Sequence, residues 1–256
     1  MLSVSSVSFT YKKNSNWILK DISFTLEMGK VIGILGPNGT GKSTLLKCLN
    51  YIHKPQKGNV QLDGVDIETM PVKERAKLFS YVPQYFDTNV SMSVFDTVLL
   101  GRLPYVSFSY TKADYEIAWH AMVELNIQDL AMKDMRNLSG GQQQRVYIAR
   151  AVAGSSSVIL LDEPSSSLDI KNQLLVMDEL RQLAHSKQLL IIMTIHDLNL
   201  ASMYCDEIIM LKDSQLYAKG KPQEVLTSHR IKEVYGVNTT SCVDEDTVYI
   251  HLKHTI

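Results

Sequence analysis

No apolar stretch in this sequence approaches the roughly 20 residues that a bilayer-spanning helix needs. The run "LLIIMTI" at residues 189–195 is strand-sized. Cysteine is scarce: Cys48, Cys205 and Cys242 stand far apart, with no C-x-x-C pair. Such spacing argues against a sulfur-rich metal or redox centre and suits isolated thiols in a reducing compartment. Neither sign of charge dominates. The formal net charge is −1, so the surface is not built mainly to grip a nucleic-acid backbone, and no nucleic-acid partner is expected. The opening residues "MLSVSSVSFTYKKN" lack the charged lead and apolar core of a secretion signal. Internal repeats and low-complexity tracts are missing as well. A soluble chain in the cytoplasm is the expectation.

What is present is a series of strand and helix signals over 256 residues, enough for one large domain or a core with a subdomain. Early in the chain, "DISFTLE" alternates Ile22, Phe24 and Leu26 with polar residues, the mark of a strand wetted on one face. Asp63-Gly64 inside "NVQLDGVDI" signals a hairpin. Three later runs, "VIGIL", "VILLD" and "LLIIMTI", are nearly continuous apolar segments, as expected of parallel strands covered on both faces. Each ends in a polar cluster, respectively "GPNGTGKST", "DEPSSSLD" and "HDLN". In open α/β sheets the ligand crevice lies beyond the carboxyl ends of the strands, so one pocket can collect all three. Between about Val90 and Arg136 the apolar residues take helical spacing instead, with Ile117, Met122 and Leu125 in one stretch, which points to a helical insertion. "DEIIMLKDSQLYAKG" adds a second hairpin that turns at Lys212-Asp213-Ser214.

The first polar cluster satisfies G-x-x-x-x-G-K-[ST] through Gly36, Gly41, Lys42 and Ser43, with a strand before it and a helix after. Its glycines let successive backbone N–H groups face one anion, and the new helix adds the positive end of its dipole. Lys42 can then reach the outer phosphates and Ser43 can ligate Mg²⁺. Asn38, Gly39 and Thr44 complete the candidate cradle. A nucleoside triphosphate is the ligand such a loop takes. At the end of "VILLDEP", Asp162 is placed to hold the Mg²⁺ shell and Glu163 to orient or deprotonate an attacking water.

"LSGGQQQR", at residues 138–145, places Ser139 three residues before Gln142, a capping box at a helix N-terminus. Together with the phosphate loop and the "VILLDEP" strand, "LSGGQ" closely resembles the signature of the ATP-binding-cassette ATPases. The resemblance runs over essentially the whole chain, its motifs falling in the family's order. It implies an α/β fold: a P-loop NTPase core with a mixed or parallel sheet, an N-terminal antiparallel β subdomain and an inserted α-helical subdomain. One domain over 1–256 is implied, with the core at about 1–86 and 155–256 and the helical part at about 87–154. Tyr11 resembles the aromatic that stacks on adenine. Gln84 in "YVPQ" resembles the glutamine that contacts Mg²⁺ and water and senses a transmembrane partner. His196 looks like the switch histidine on the γ-phosphate, Glu163 like the catalytic carboxylate. Ser139, Gly140, Gly141 and Asp169 resemble residues that act in trans, across a head-to-tail homodimer, on nucleotide held by the other copy. Thr40 and "SSSLD" depart mildly from the family's commonest pattern, and neither removes a functional group.

The stretch "VSMSVFDTVLLGRLPY" is similar to the corresponding part of ATPases serving iron-siderophore, haem and cobalamin importers. An ATP-hydrolysing subunit is therefore expected, docked on two transmembrane permease subunits at the cytoplasmic face of the cell membrane. Cargo would arrive through an extracytoplasmic substrate-binding protein. Molybdate or tungstate import is the nearest alternative, and a nucleic-acid-handling cassette a remoter one, since neither long coiled-coil insertions nor a tandem cassette is visible.

Overall fold

The structure, a computed structural model, describes residues 1–12, 16–84, 91–166, 168–244 and 247–253. Strand β1 (Leu2–Phe9) pairs antiparallel with β2 (Leu19–Leu26) and with β4 (Lys57–Leu62), and β5 (Val65–Asp66) extends the sheet beyond β4. In β2, Ile22, Phe24 and Leu26 are buried while Ser23 and Thr25 face water, as the alternation demands. Asp63 and Gly64 have φ of 50° and 80°, the double positive φ of a type I′ hairpin turn.

A second sheet runs β10-β9-β3-β8-β7-β6. Its members are β3 (Val31–Leu35), β6 (Phe79–Val82), β7 (Val158–Leu161), β8 (Leu190–Thr194), β9 (Glu207–Lys212) and β10 (Gln215–Gly220). Neighbours pair in parallel except β10, which returns antiparallel along β9 through positive-φ Asp213 and Ser214. The sheet is thus mixed, and the anticipated hairpin forms its edge. Successive side chains enter two separate cores. Ile32, Leu160 and Ile192 pack with α1 (Lys42–Leu49) and the antiparallel sheet, whereas Ile159, Ile191 and Met193 pack with α5 (Gly140–Ala153) and α6 (Ile170–Lys187). Burial on both faces is why these strands are written as unbroken apolar runs. Truncating one such Leu to Ala costs about 2–5 kcal/mol. The edge strand β6 is only half apolar and too short for its pattern to announce it.

Helix α2 (Val72–Leu78) leads into β6, and α3 (Val94–Leu99), α4 (Lys112–Glu124) and α5 then share a core through Val98, Met122, Leu125 and Val146. Arg102 binds this helical unit: its Nε donates to Asp114 Oδ1 at 2.9 Å and its Nη1 to the Ala153 carbonyl at 3.0 Å. The start expected for the insertion, at about residue 87 to 90, lies outside the described residues. After β8 come α7 (Leu198–Tyr204), then α8 (Pro222–Val225), α9 (Ser228–Tyr235) and a hairpin of β11 (Thr239–Asp244) and β12 (Thr247–Leu252) laid on α7. Cys48 and Cys205 are buried and Cys242 is exposed, all as free thiols.

Candidate active site

The carboxyl ends of β3, β7 and β8 lie along one edge of the central sheet, which is what gathers three sequence-distant clusters. Between β3 and α1, Gly41 takes φ +96°, and a Cβ there would stand 2.7 Å from the Ile18 carbonyl. Gly36, at φ +150°, is as tightly hemmed, by the Leu211 carbonyl at 2.6 Å. No other residue fits the loop at these two positions. Lys42 is 7% exposed. Its Nζ donates to the Gly36 and Pro37 carbonyls at 2.7 and 3.1 Å, folding the ammonium over its own loop. Burial lowers its pKa, and the charges of Glu163 and Asp162 oppose that shift.

Asp162 follows β7 and is almost wholly buried. Ser43 Oγ and Thr194 Oγ1 donate to its Oδ1 at 2.9 and 2.8 Å, and the Tyr81 hydroxyl donates to Oδ2 at 3.3 Å. Three hydroxyl donors fix the orientation of one carboxylate. Burial, and then Asp162 itself, raise the Tyr81 pKa well above the ordinary phenol value, so Tyr81 remains a donor. Thr194 also accepts the Glu163 backbone N–H at 2.8 Å, pinning the end of β7 to the end of β8.

Glu163 occupies the left-handed region at φ +51°, a conformation that a β-carbon resists and that recurs at functional sites. Its side chain is clasped from two sides: Gln84 Nε2 donates to Oε2 at 2.5 Å, and His196 Nε2 lies 2.5 Å from Oε1, donating to it in the tautomer that carries hydrogen on Nε2. These three side chains form one wall of a cleft of about 530 Å³. Asn38, Gly39, Gly41, Lys42, Ser43 and Thr44 form the other, with Tyr11 and Ile18 at the rim. Tyr11 is 60% exposed, its hydroxyl 3.1 Å from Thr44 Oγ1 and its ring edge-on to Phe9 and His53. Gly36 and Asp162 lie beneath this surface.

The remaining candidates stand elsewhere. Ser139 caps α5, accepting the Gln142 backbone N–H at 3.4 Å, while Gln142 Oε1 accepts the Ser139 N–H at 3.1 Å, the reciprocal box that the spacing requires. Asp169 caps α6 by accepting the Asn172 N–H at 2.8 Å. Neither these residues nor Gly140 and Gly141 line the phosphate-loop cleft. Sequence reasoning missed Thr194, Tyr81 and Ile18. The signal for Thr194 was a hydroxyl closing an otherwise apolar strand two residues before His196. Among the described residues, no helix is long and apolar enough to cross a membrane.

The family model for ABC transporters matches residues 19–166. An uncharacterised ABC transporter ATP-binding protein of Methanocaldococcus jannaschii is 46% identical over 93% of this chain and 92% of its own length. A probable siderophore transport system ATP-binding protein of Bacillus subtilis is 36% identical over 86% and 81%. Among solved structures, an inward-facing metal-chelate type ABC transporter matches with a TM-score of 0.85 and 30% identity, covering 98% of this chain and 96% of the other. A dimeric ATP-binding cassette in a post-hydrolysis state, bound to ADP and phosphate, matches with a TM-score of 0.76 and 28% identity, covering 87% and 99%. With the phosphate loop, the clasped carboxylate and the whole-chain fold in agreement, this chain belongs to the ABC transporter family as one of its ATP-hydrolysing cassettes.

Proposed function

We propose that this cassette works as a head-to-tail homodimer that energises import through separate permease subunits. Each phosphate-loop cleft holds ATP, and the other copy closes it with Ser139, Gly140, Gly141 and Asp169. The separation of the two half-sites carries this reading: the cradle and Glu163 face one cleft, and the exposed start of α5 is no part of it. A head-to-tail pair completes both sites at once. Because ATP touches both copies only in the closed pair, its differential affinity shifts the population toward closure.

Within the cleft, Lys42 and the loop amides bind the phosphates, and Tyr11 offers its ring to the base. Glu163 orients the attacking water and takes its proton, so it must be unprotonated and free of stronger partners. In the structure Gln84 and His196 both donate to it. We assign His196 to the γ-phosphate once ATP is seated, an exchange that releases one carboxylate oxygen of Glu163 for water. The Ser43 hydroxyl, the Asp162 carboxylate and the amide oxygen of Gln84 make a hard-oxygen donor set suited to Mg²⁺, and the first two already touch at 2.9 Å. When bound, Mg²⁺ neutralises charge on the phosphate oxygens.

The importer assignment draws on the relatives, two of which are a siderophore transport system protein and a metal-chelate type transporter. We infer the same broad class of cargo here, a metal chelate, with permeases that place the cassette at the cytoplasmic face of the membrane and a binding protein that delivers the chelate from outside. The helical part at about 87–154 is assigned as the subdomain that carries the signature toward the second copy. Size-exclusion chromatography of Glu163→Gln with ATP tests the core of this reading: elution as a dimer with ATP and as a monomer without is the expected result. A monomer under both conditions would overturn it.

A further inference from the structure

Gly141 is buried although Ser139 and Gly140 beside it are exposed. The neighbour that covers it belongs to α6. A Cβ on Gly141 would fall 3.1 Å from Asn172 Cγ and 3.3 Å from its Oδ1. The opposite edge of the same amide faces Asp169: Asn172 Nδ2 donates to Asp169 Oδ1 and Oδ2, both at 3.0 Å, beyond the cap bond that the backbone N–H already supplies. One planar amide therefore lies between the start of the signature helix and the aspartate that caps α6. Capping alone needs only the backbone N–H, so the side-chain bonds fix the direction of the carboxylate as well as its presence.

The same two helices face each other again farther along. Arg145 is one turn on from Gly141, and its charge acts on Glu179, seven residues on from Asn172. Arg145 Nε and Glu179 Oε2 are both buried without hydrogen-bond partners. Burial pushes the Glu179 carboxyl up to about 7, with Arg145 pulling against that shift. At the far end, Lys187 Nζ reaches Glu124 Oε2 of α4 at 2.7 Å. One face of α6 thus meets the helical unit at three levels, and only the first touches residues proposed to act in trans.

We propose that Asn172 is a positioning residue that joins Asp169 and the signature start into a single unit, so that both reach the partner's nucleotide in fixed register. The inference rests on the head-to-tail reading. A second ATPase surface that had to place two separate elements independently would lose dimer affinity to their relative motion.

The test uses the full chain carrying Glu163→Gln, with dimerisation followed by analytical ultracentrifugation at saturating ATP and monomer affinity by titration with a fluorescent ATP analogue. Adding Asn172→Asp removes both side-chain donors and sets a second carboxylate against Asp169. It should weaken the ATP-driven dimer at least about tenfold, a 1.4 kcal/mol change, while monomer affinity stays within about twofold. Asn172→His keeps a donor at the same branch position and should hold dimer affinity within about threefold of the parent. Dimerisation of Asn172→Asp with parental affinity overturns the proposal, as does equal weakening in the Asp and His variants that follows their melting temperatures. If the Glu163→Gln parent itself stays monomeric, the head-to-tail reading fails and takes this inference with it. A parent that dimerises separates the two failures.

Discussion

The phosphate-loop cleft and the signature end of the helical unit are built to opposite plans. In the cleft, charged groups are sunk and cross-linked: Lys42 and Asp162 are nearly inaccessible, and three hydroxyls from three elements converge on one carboxylate. At the signature, Ser139 caps the helix start in a reciprocal box with Gln142, and Ser139 and Gly140 face solvent. A preorganised, buried polar network is what a site needs when it must hold a polyanion unaided. An exposed helix N-terminus has amide donors to offer but no walls. The difference is the one the proposed head-to-tail pairing calls for: one half built as a receptor, the other as a lid for the receptor of a second copy.

The largest expected effect lies in the receptor half. Glu163→Gln keeps the size of the side chain, leaves one acceptor oxygen where the clasp has two, and removes the proposed base, so kcat for ATP hydrolysis should fall by about 10³-fold or more. Nucleotide affinity should hold, because Lys42 and the loop amides are untouched. Steady-state phosphate release and equilibrium binding on the same variant check both halves of that statement, and turnover near the parental rate would remove Glu163 from catalysis.

Next, the contrast can be broken directly by cutting one side at a time. Lys42→Ala deletes the buried ammonium and should weaken ATP binding to the monomer by about 10- to 100-fold, in line with the loss of a charge-assisted contact. Ser139→Ala removes the cap and the exposed hydroxyl and should leave monomer affinity within about twofold, lowering only dimerisation and turnover. Isothermal titration of both variants decides. A Ser139→Ala monomer that loses affinity as Lys42→Ala does would mean the two halves are not separate sites.

A smaller effect sharpens the picture of the receptor half. Thr194→Val is nearly isosteric and strips the donor to Asp162 and the acceptor for the Glu163 N–H. Leaving the Asp162 oxygen and the Glu163 N–H without this partner costs about 1–3 kcal/mol each, which should appear as a lower melting temperature and a kcat reduced more than KM is raised. If KM alone moves, Thr194 serves binding and not the placement of Glu163.

Legibility from sequence followed covalent contiguity. The phosphate loop, the capping box and the carboxylate pair were readable because each is written in one short stretch, and the parallel strands because burial on two faces leaves no polar positions. Thr194, Tyr81 and Asn172 were not readable, since each acts through space on a residue at least three positions away and often on another element. Strand β6 escaped because an edge strand of four residues with a half-wet pattern carries too little periodicity. Sequence placed Ser139 and Asp169 in one functional set, but not that an amide side chain would stand between their helices.

The smallest predicted effect tests what holds the lid half together. Asp114 lies in the helical unit, where the Thr111 backbone N–H, the Arg102 guanidinium and the Thr111 hydroxyl hold its carboxyl down to about 2 from an ordinary value of 3.8. A depressed carboxylate pKa contributes stability that is fully present above the unfolded value and disappears as pH falls through the folded one. The window is therefore between about pH 5 and pH 2. Asp114→Asn lacks the titrating group and keeps an acceptor for Arg102, so it should melt below the parent at pH 6, and the gap should narrow by at most about 1 kcal/mol by pH 3. Parallel melting curves at both pH values would mean that the Thr111 and Arg102 bonds to Asp114 contribute through geometry and not through the charge of the carboxylate.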